Sequence, residues 1–482
     1  MRKLSTFLIV SLLAGGCTIG PDYQRPVVDT PAEWRVMTPD AKELANTAWW
    51  QQFNDPVLND LIGVALNDNK DLLIAVARIE EYAGRYGVVR ADLFPQLGAS
   101  GDYSRGRITE AGANPLSPGY KVTTDSFSAT LNTSWELDLW GRVRRSTEAA
   151  KAQFIASEEG RRAVILSLVG NVATAYINLR AIDRQLEISR NTAKSRGDSY
   201  SLFKERFAGG VISELELSQN RSQYEEALAS IPSLEKAVTL QENGLSILLG
   251  RNPGPIARGL NIDELILPAI VAGMPSDLLE RRPDLRQAEQ ALIAANAQIG
   301  VAKAAYFPTI SLTGSFGSAS GDLSDLFKGP SKIWQYGAPV NLPIFTAGKI
   351  AGGVKEAEAI QQQALLGYQQ AVQNAFREVN DALTDQTQTS KQLTVQKSQV
   401  ESLRQYAGIA RLRYDNGYTD YLSVLDAERS LFNAELAYTQ TKGALYISAI
   451  NLYKAMGGGW IQQADQLAQT PVAPLTEMRG KK

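Results

Sequence analysis

Landmarks recur along these 482 residues at two fixed spacings. Asp71 and Asp284 each open an Asp-Leu run with Ala four positions on, and Phe94-Pro95 and Phe307-Pro308 each precede a β-like stretch; both pairs lie 213 apart. Gly141 and Gly348, Gly210 and Gly417, and Gly250 and Gly457 lie 207 apart. A constant spacing that drops once, by six, describes two copies of one unit with a single shortened loop, between about residues 104 and 126 of the first copy. The chain must therefore fold as an interlocked duplication, and the repeated unit mixes strand-like and helix-like periods.

Composition removes whole classes of chemistry. Basic and acidic residues number 49 and 51, a net charge of −2, so no field for a polyanion arises and nucleic acid is excluded as a partner. Histidine is absent and cysteine occurs once, which removes the commonest general base, the usual zinc ligands and any internal disulfide. No metal site and no catalytic constellation is expected. A hydrolase built on Ser and carboxylates lacks both His and a Gly-x-Ser-x-Gly elbow.

Residues 1–16 resemble a secretory signal: Arg2 and Lys3 precede an apolar run from Leu4 to Leu13 that ends in small residues. Cys17 follows Leu13-Ala14-Gly15-Gly16, which resembles a bacterial lipobox with Leu one place early, and Thr18 after it fits export to the outer membrane. The resemblance makes Cys17 a lipidated N-terminus, the one covalent group expected, with no other cofactor.

Between Ser126 and Leu137, Phe127, Ala129, Leu131, Thr133, Trp135 and Leu137 alternate with Ser126, Ser128, Thr130, Asn132, Ser134 and Glu136. The same period of two runs through Gln96–Tyr103, through Thr309–Phe316, and along Trp334, Tyr336, Ala338, Val340 and Leu342. Each copy therefore supplies a β-hairpin. Segments this long match the roughly 9–11 residues that cross a bilayer at a tilt, and faces of Ser, Thr and Asn suit a wet lumen. Four strands cannot close a barrel, so several chains must share one. Pro339 and Pro343 predict a bend or strand end in the fourth segment.

No proline falls between Val143 and Ile231 or between Ile344 and Thr470. These stretches predict helices of roughly sixty residues, from Arg142 to about Arg206 and from Gly348 to about Arg413, about 90–100 Å each. Shorter helices return after Gly209-Gly210 and Asn416-Gly417, with Pro232 expected to kink or break the first of them. In the second, Leu422, Leu425, Ala427, Leu431, Ala434 and Tyr438 form an interfacial stripe. The expected layout is a lipid-anchored extended segment over 17–48, repeat 1 over 49–260 (hairpin about 94–138, tip about 207–213), repeat 2 over 261–460 (hairpin about 307–345, tip about 414–420), and a tail over 461–482.

Several motifs closely resemble the TolC/OprM-like outer membrane factor family, in its lipoprotein branch. They are Gly20-Pro21-Asp22-Tyr23-Gln24-Arg25-Pro26, Trp49-Trp50 with Phe53 and Asp55-Pro56, Phe94-Pro95, the run Trp135 to Arg142, the run Pro275 to Asp284, Phe307-Pro308, and Arg413-Tyr414 through Gly417 to Leu425-Asp426-Ala427. The resemblance implies an α+β membrane protein. Three chains would pool four strands each into a twelve-stranded barrel in the outer membrane, continued by a periplasmic α-helical barrel with a mixed equatorial region. It implies a passive, non-enzymatic efflux duct, with a homotrimer, a periplasmic adaptor, an inner-membrane RND-type pump and outer-membrane lipid as partners. Drugs, metal ions, solvents and secreted protein stay open as cargo, and a coiled-coil brace that transports nothing is the rival reading.

By the same resemblance Leu422 is an apolar gate position, Asp426 a symmetric ring of carboxylates, and Arg413 and Tyr414 ties between neighbouring hairpins. The alternative for Asp426 is a solvated or helix-paired carboxylate, and Arg413 reads equally as a helix C-terminal cation. Ser423 stands where some relatives carry a second acid, and Gln219 is the repeat-1 counterpart of Asp426. Gly209, Gly210, Val211, Ser213, Gly417, Thr419 and Asp420 are the tips an adaptor would grip, and glycine there also ends a helix. Arg281 to Asp284 looks like a catalytic cluster, but Pro283 suits a helix start and Asp284 its positive end.

Overall fold

The structure is a computed structural model that describes residues 18–28, 31, 34, 48–110, 121–268 and 278–457; the signal, Cys17 and the tail lie outside these residues. A 3₁₀ turn at Trp49–Phe53 leads into α1 (Pro56–Asp68), α2 (Lys70–Ala91), β1 (Gln96–Arg107), β2 (Thr123–Leu137), α3 (Arg142–Ala208) and α4 (Glu214–Leu248). One helical turn, Leu278–Arg281, then precedes α5 (Pro283–Ala304), β3 (Thr309–Ser320), β4 (Lys332–Gly337), β5 (Val340–Asn341), α6 (Lys349–Asp415) and α7 (Tyr421–Ala455). The ends of α2 and β1 recur in α5 and β3 at the first spacing, and those of α3 and α4 recur in α6 and α7 at the second. The deletion thus lies in the hairpin loop. All six paired glycines have positive φ, between 68° and 83°, where a side chain would be strained.

The repeats do not fold as separate bodies. One compact unit gathers the segments Met1–Val27, Ile79–Ser157 and Gln287–Tyr368, the other Val28–Arg78, Glu158–Arg286 and Gln369–Lys482, so each draws on both copies.

The first unit holds the sheet, antiparallel in the order β1-β2-β3-β4 with β5 also on β3. Its register aligns the apolar positions: Ala99 faces Leu131, Leu131 faces Phe316, and Phe316 faces Trp334. The opposite face carries Ser100, Thr130, Asn132, Ser315 and Gln335, with Asn132 Nδ2 donating to Ser100 Oγ at 2.9 Å. The expected fourth strand is interrupted: β4 stops at Gly337, and only Val340–Asn341 resumes pairing. Pro339 lacks an N–H, although its carbonyl still accepts from Ser311 at 3.1 Å.

The second unit has a core of Trp49, Trp50, Phe53, Ile62, Tyr176, Ile177, Tyr446 and Ile450, with the Trp49 ring stacked on Tyr453 at 5.4 Å. Asp55 is fully buried: it caps α1 by accepting from Val57 N–H at 2.9 Å, and it accepts from Tyr176 Oη at 2.7 Å and Leu260 N–H at 3.1 Å. Pro56 at the first helical position completes the start.

α3 and α6 are each 67 residues, somewhat longer than the sequence predicts and about 100 Å at 1.5 Å per residue. The break expected at Pro232 is absent, and α4 runs through it. The proline deletes one backbone bond, whereas the helix is tied to α3 on both sides of it by Arg196 Nη1 donating to the Gln223 carbonyl at 2.8 Å and by the Arg190–Glu235 pair at 2.7 Å.

Candidate functional site at the hairpin tips

Both tips are built from the same backbone device. After α3, Gly210 N–H donates to the Phe207 carbonyl and Val211 N–H to that of Arg206, both at 2.9 Å; after α6, Gly417 N–H donates to Tyr414 at 2.9 Å and Tyr418 N–H to Arg413 at 2.8 Å. Each is a Schellman ending that needs a left-handed residue, supplied by Gly210 (φ 69°) and Gly417 (φ 74°). The return helices are then capped. Ser213 and Glu216 form a capping box, with Ser213 N–H donating to Glu216 Oε2 at 2.8 Å, while Asp420 Oδ1 accepts from Ser423 N–H at 3.1 Å and Ser423 Oγ at 2.7 Å. These bonds hold the Asp420 carboxyl below its ordinary range. Thr419 Oγ1 donates to Ser423 Oγ at 3.1 Å. Of the tip residues, Gly209, Gly210, Ser213, Gly417, Thr419 and Asp420 thus build the turns, and Val211 stands out in solvent.

The four gate candidates part company. Leu422 is 57% exposed, and Asp426, one turn along the same face of α7, accepts from Arg429 Nη2 at 2.9 Å. Within one protomer Asp426 is therefore a helix-paired carboxylate. Arg413 is exposed and contributes its carbonyl to the Schellman turn. Tyr414 points inward, its ring 4.9 Å from that of Tyr421 and 6.3 Å from that of Phe203 on α3.

Tyr421 was not singled out in the sequence, yet it is the centre of this end. It is buried beside Phe203, Val424, Leu425 and Ala427, its hydroxyl accepts from Asn220 Nδ2 at 2.5 Å, and it shares a hydrogen bond with Ser199 Oγ at 3.3 Å. Burial pushes its phenol above the ordinary range. A signal existed: Asn220 is the repeat-1 counterpart of Ala427, a polar residue in a small apolar seam. Of the predicted stripe, Leu425 and Ala427 are buried, Leu431, Ala434 and Tyr438 are half-buried, and Leu422 faces out; the fully buried seam runs through Tyr421, Val424, Leu425, Ala427 and Phe432. Below it lies buried Arg196, its guanidinium 5.2 Å from the Phe432 ring centroid and 3.3 Å from Glu226. Burial lowers the Arg196 pKa, and it raises that of Glu428, which faces Arg411 at 4.0 Å. Replacing Tyr421 by Phe leaves the Asn220 amide only its 3.2 Å bond to Ser199 Oγ and is expected to lower stability by about 1 kcal/mol, read as a shift in the urea unfolding midpoint.

Comparison with known proteins gives this architecture its family. The Outer membrane efflux protein family model matches residues 61–251 and 274–458, one segment in each repeat. The chain is 37% identical over 476 residues to the probable efflux pump outer membrane protein TtgC of Pseudomonas putida, covering 97% of this chain and 98% of that one. It is also 37% identical to the cation efflux system protein CusC of Escherichia coli, covering 94% and 98%. Among solved structures, the open-state outer membrane channel MtrE of Neisseria gonorrhoeae superposes with a TM-score of 0.83 at 33% identity, covering 92% of this chain and 99% of that one. The two repeats, the sheet and the long paired helices are thus those of the outer membrane efflux protein family, to which this chain belongs.

Proposed function

We propose that the protein is the outer-membrane exit duct of a tripartite efflux pump, working as a homotrimer. One observation carries the reading: among the described residues, the sheet has an apolar face with nothing to cover it and two edges with no strand to pair. On that face Trp334 is 69% and Tyr336 79% exposed, and Leu97, Leu131 and Phe316 are exposed beside them. Such a surface suits lipid, and hydrocarbon does not tolerate unpaired strand edges. Placing the β4 and β5 edge of one copy beside β1 of the next removes every edge, and three copies of the four-strand hairpin pair make a twelve-stranded wall. The hydroxyl and amide face then lines the lumen.

The long helices carry this wall into the periplasm, where the tips meet a periplasmic adaptor through exposed Val211 and the capped turns around Ser213, Thr419 and Asp420. An inner-membrane RND-type pump supplies energy, and the duct catalyses nothing. Cys17 carries the lipid. Relatives of equal identity are named for efflux of different cargo, one for cations and one as an antibiotic pump component, so cargo choice belongs to the pump rather than to the duct. Purified protein in planar bilayers is expected to sediment as a trimer and conduct, and a deletion strain to become sensitive to antibiotics, detergents or metals. A delipidated monomer that stays water-soluble and never conducts would overturn the reading.

A further inference from the structure

The segment that follows the cysteine does not hang loose. Ile19 N–H donates to the Trp140 carbonyl at 3.1 Å, where β2 passes into α3. Gly20 lies so close to Gly300 of α5 that a Cβ on it would sit 2.5 Å from the Gly300 Cα, and Gly141 is packed as tightly against Thr18. Asn296 Nδ2 donates to the Pro21 carbonyl at 2.9 Å. Arg145, only 5% exposed, donates to Asp22 at 2.5 Å and to Glu148 at 2.8 Å. Glu289 accepts from Tyr23 Oη and from Arg25 Nη2, both at 3.0 Å.

These partners alternate between the copies: Trp140, Gly141 and Arg145 belong to repeat 1, and Glu289, Asn296 and Gly300 to repeat 2. Beneath the segment, Ala149 and Ala152 of α3 pack on Ala294 and Ala297 of α5. Small residues there permit close helix approach but leave little area to hold the helices together.

We propose that Thr18–Arg25 is a staple across the seam between the repeats, with Arg145 and Glu289 as its positioning residues, and that it fixes the lipid-bearing Cys17 at the strand–helix junction. The idea rests on the reading of Cys17 as the anchor. An acyl chain on a leash would leave the protomer free to rise and tilt. One residue from a pinned Thr18, the same chain marks the depth at which the sheet enters the bilayer.

Hydrogen exchange on the full-length lipidated protein tests this, and it reads the same whether or not the trimer conducts. In Arg145→Met/Glu289→Ala, peptides covering 18–25 are expected to exchange at least about tenfold faster, and those covering 145–152 and 289–297 to lose protection with them, while labelled palmitate is incorporated as before. The swap Arg25→Glu/Glu289→Arg is expected to recover most of the protection. Chymotrypsin should cut after Tyr23 in the double variant and spare the unaltered protein. Unlipidated Cys17→Ser is expected to keep the staple protected; loss of protection there would make the lipid the cause and overturn the proposal. So would a loosened segment over an unchanged seam, or a segment still protected in the double variant.

Discussion

Trimers in which Leu422 and Asp426 are both replaced by Ala are expected to carry at least about threefold more current in planar bilayers than the unaltered protein, with little change in melting temperature. The reason lies in what these side chains do not do. Leu422 is exposed, and among the described residues Asp426 pairs with Arg429 on its own helix. Exposed pairs at this spacing are worth about 0.3–0.5 kcal/mol, so their loss should not unfold the tip. Yet both stand on one face of α7, the helix whose first residue, Tyr421, is tied through its buried hydroxyl to Asn220 of α4. In the proposed trimer three such faces meet around one axis. There the leucines would narrow and dry the aperture, and the carboxylates would crowd like charges that bias passage toward cations. Asp426→Ala alone should therefore weaken cation selectivity more than it raises current, and Leu422→Ala the reverse. A closed-state current unchanged in the double variant would remove both residues from the gate.

Periodicity and spacing made much of this molecule legible. The twin offsets place every long element of repeat 2 from repeat 1, because each landmark glycine ends a helix or a turn in the left-handed region, where no other residue substitutes cheaply. Strict alternation fixed which strand residues share a face. What alternation and heptad-like stripes do not encode is the partner of each face. The stripe on α7 holds at Leu425 and Ala427 and misses at Leu422, because Leu422 and Tyr421 are both apolar enough to be core and it is the tyrosine that pairs with the polar Asn220 across the seam. Pro232 does not break α4 for a similar reason: a local rule about one lost hydrogen bond is outweighed by side-chain ties to the facing helix. The docking of Thr18–Arg25 depends on pairs more than a hundred positions apart, which no local pattern reports.

The second large effect is expected at Arg282, where duplication supplies an internal control. In both repeats a helix ends on a socket formed by a residue just ahead of the counterpart helix. In repeat 1, Asn69 Nδ2 donates to the Leu248 carbonyl at 2.9 Å; in repeat 2, Arg282 Nη1 donates to the equivalent Ala455 carbonyl at 2.8 Å. Gly250 and Gly457 then let the chain pass, since a Cβ on Gly457 would meet Arg282 Cγ at 2.4 Å. The sockets differ in charge. Arg282 is 5% exposed, grips Asp284 through two bonds at 3.0 and 2.7 Å, and reaches Glu378 on α6 at 2.8 Å. Burial alone would lower its pKa, and the two carboxylates more than offset that, so it stays charged beside the negative end of α7. Arg282→Ala removes the guanidinium from three helices at once. It should cost about 3 kcal/mol, the low end for a buried pair because Asp284 and Glu378 keep contact with water. Asn69→Ala should cost about 1–2 kcal/mol, the value of a cap and one buried amide bond. Arg282→Lys should recover less than half, since an ammonium cannot hold Asp284 with two parallel bonds while reaching the carbonyl. Denaturant midpoints of the four proteins, measured side by side, test the order. Equal losses for Asn69→Ala and Arg282→Ala would mean that the carboxylates add nothing and that the Arg281–Asp284 run needs another explanation.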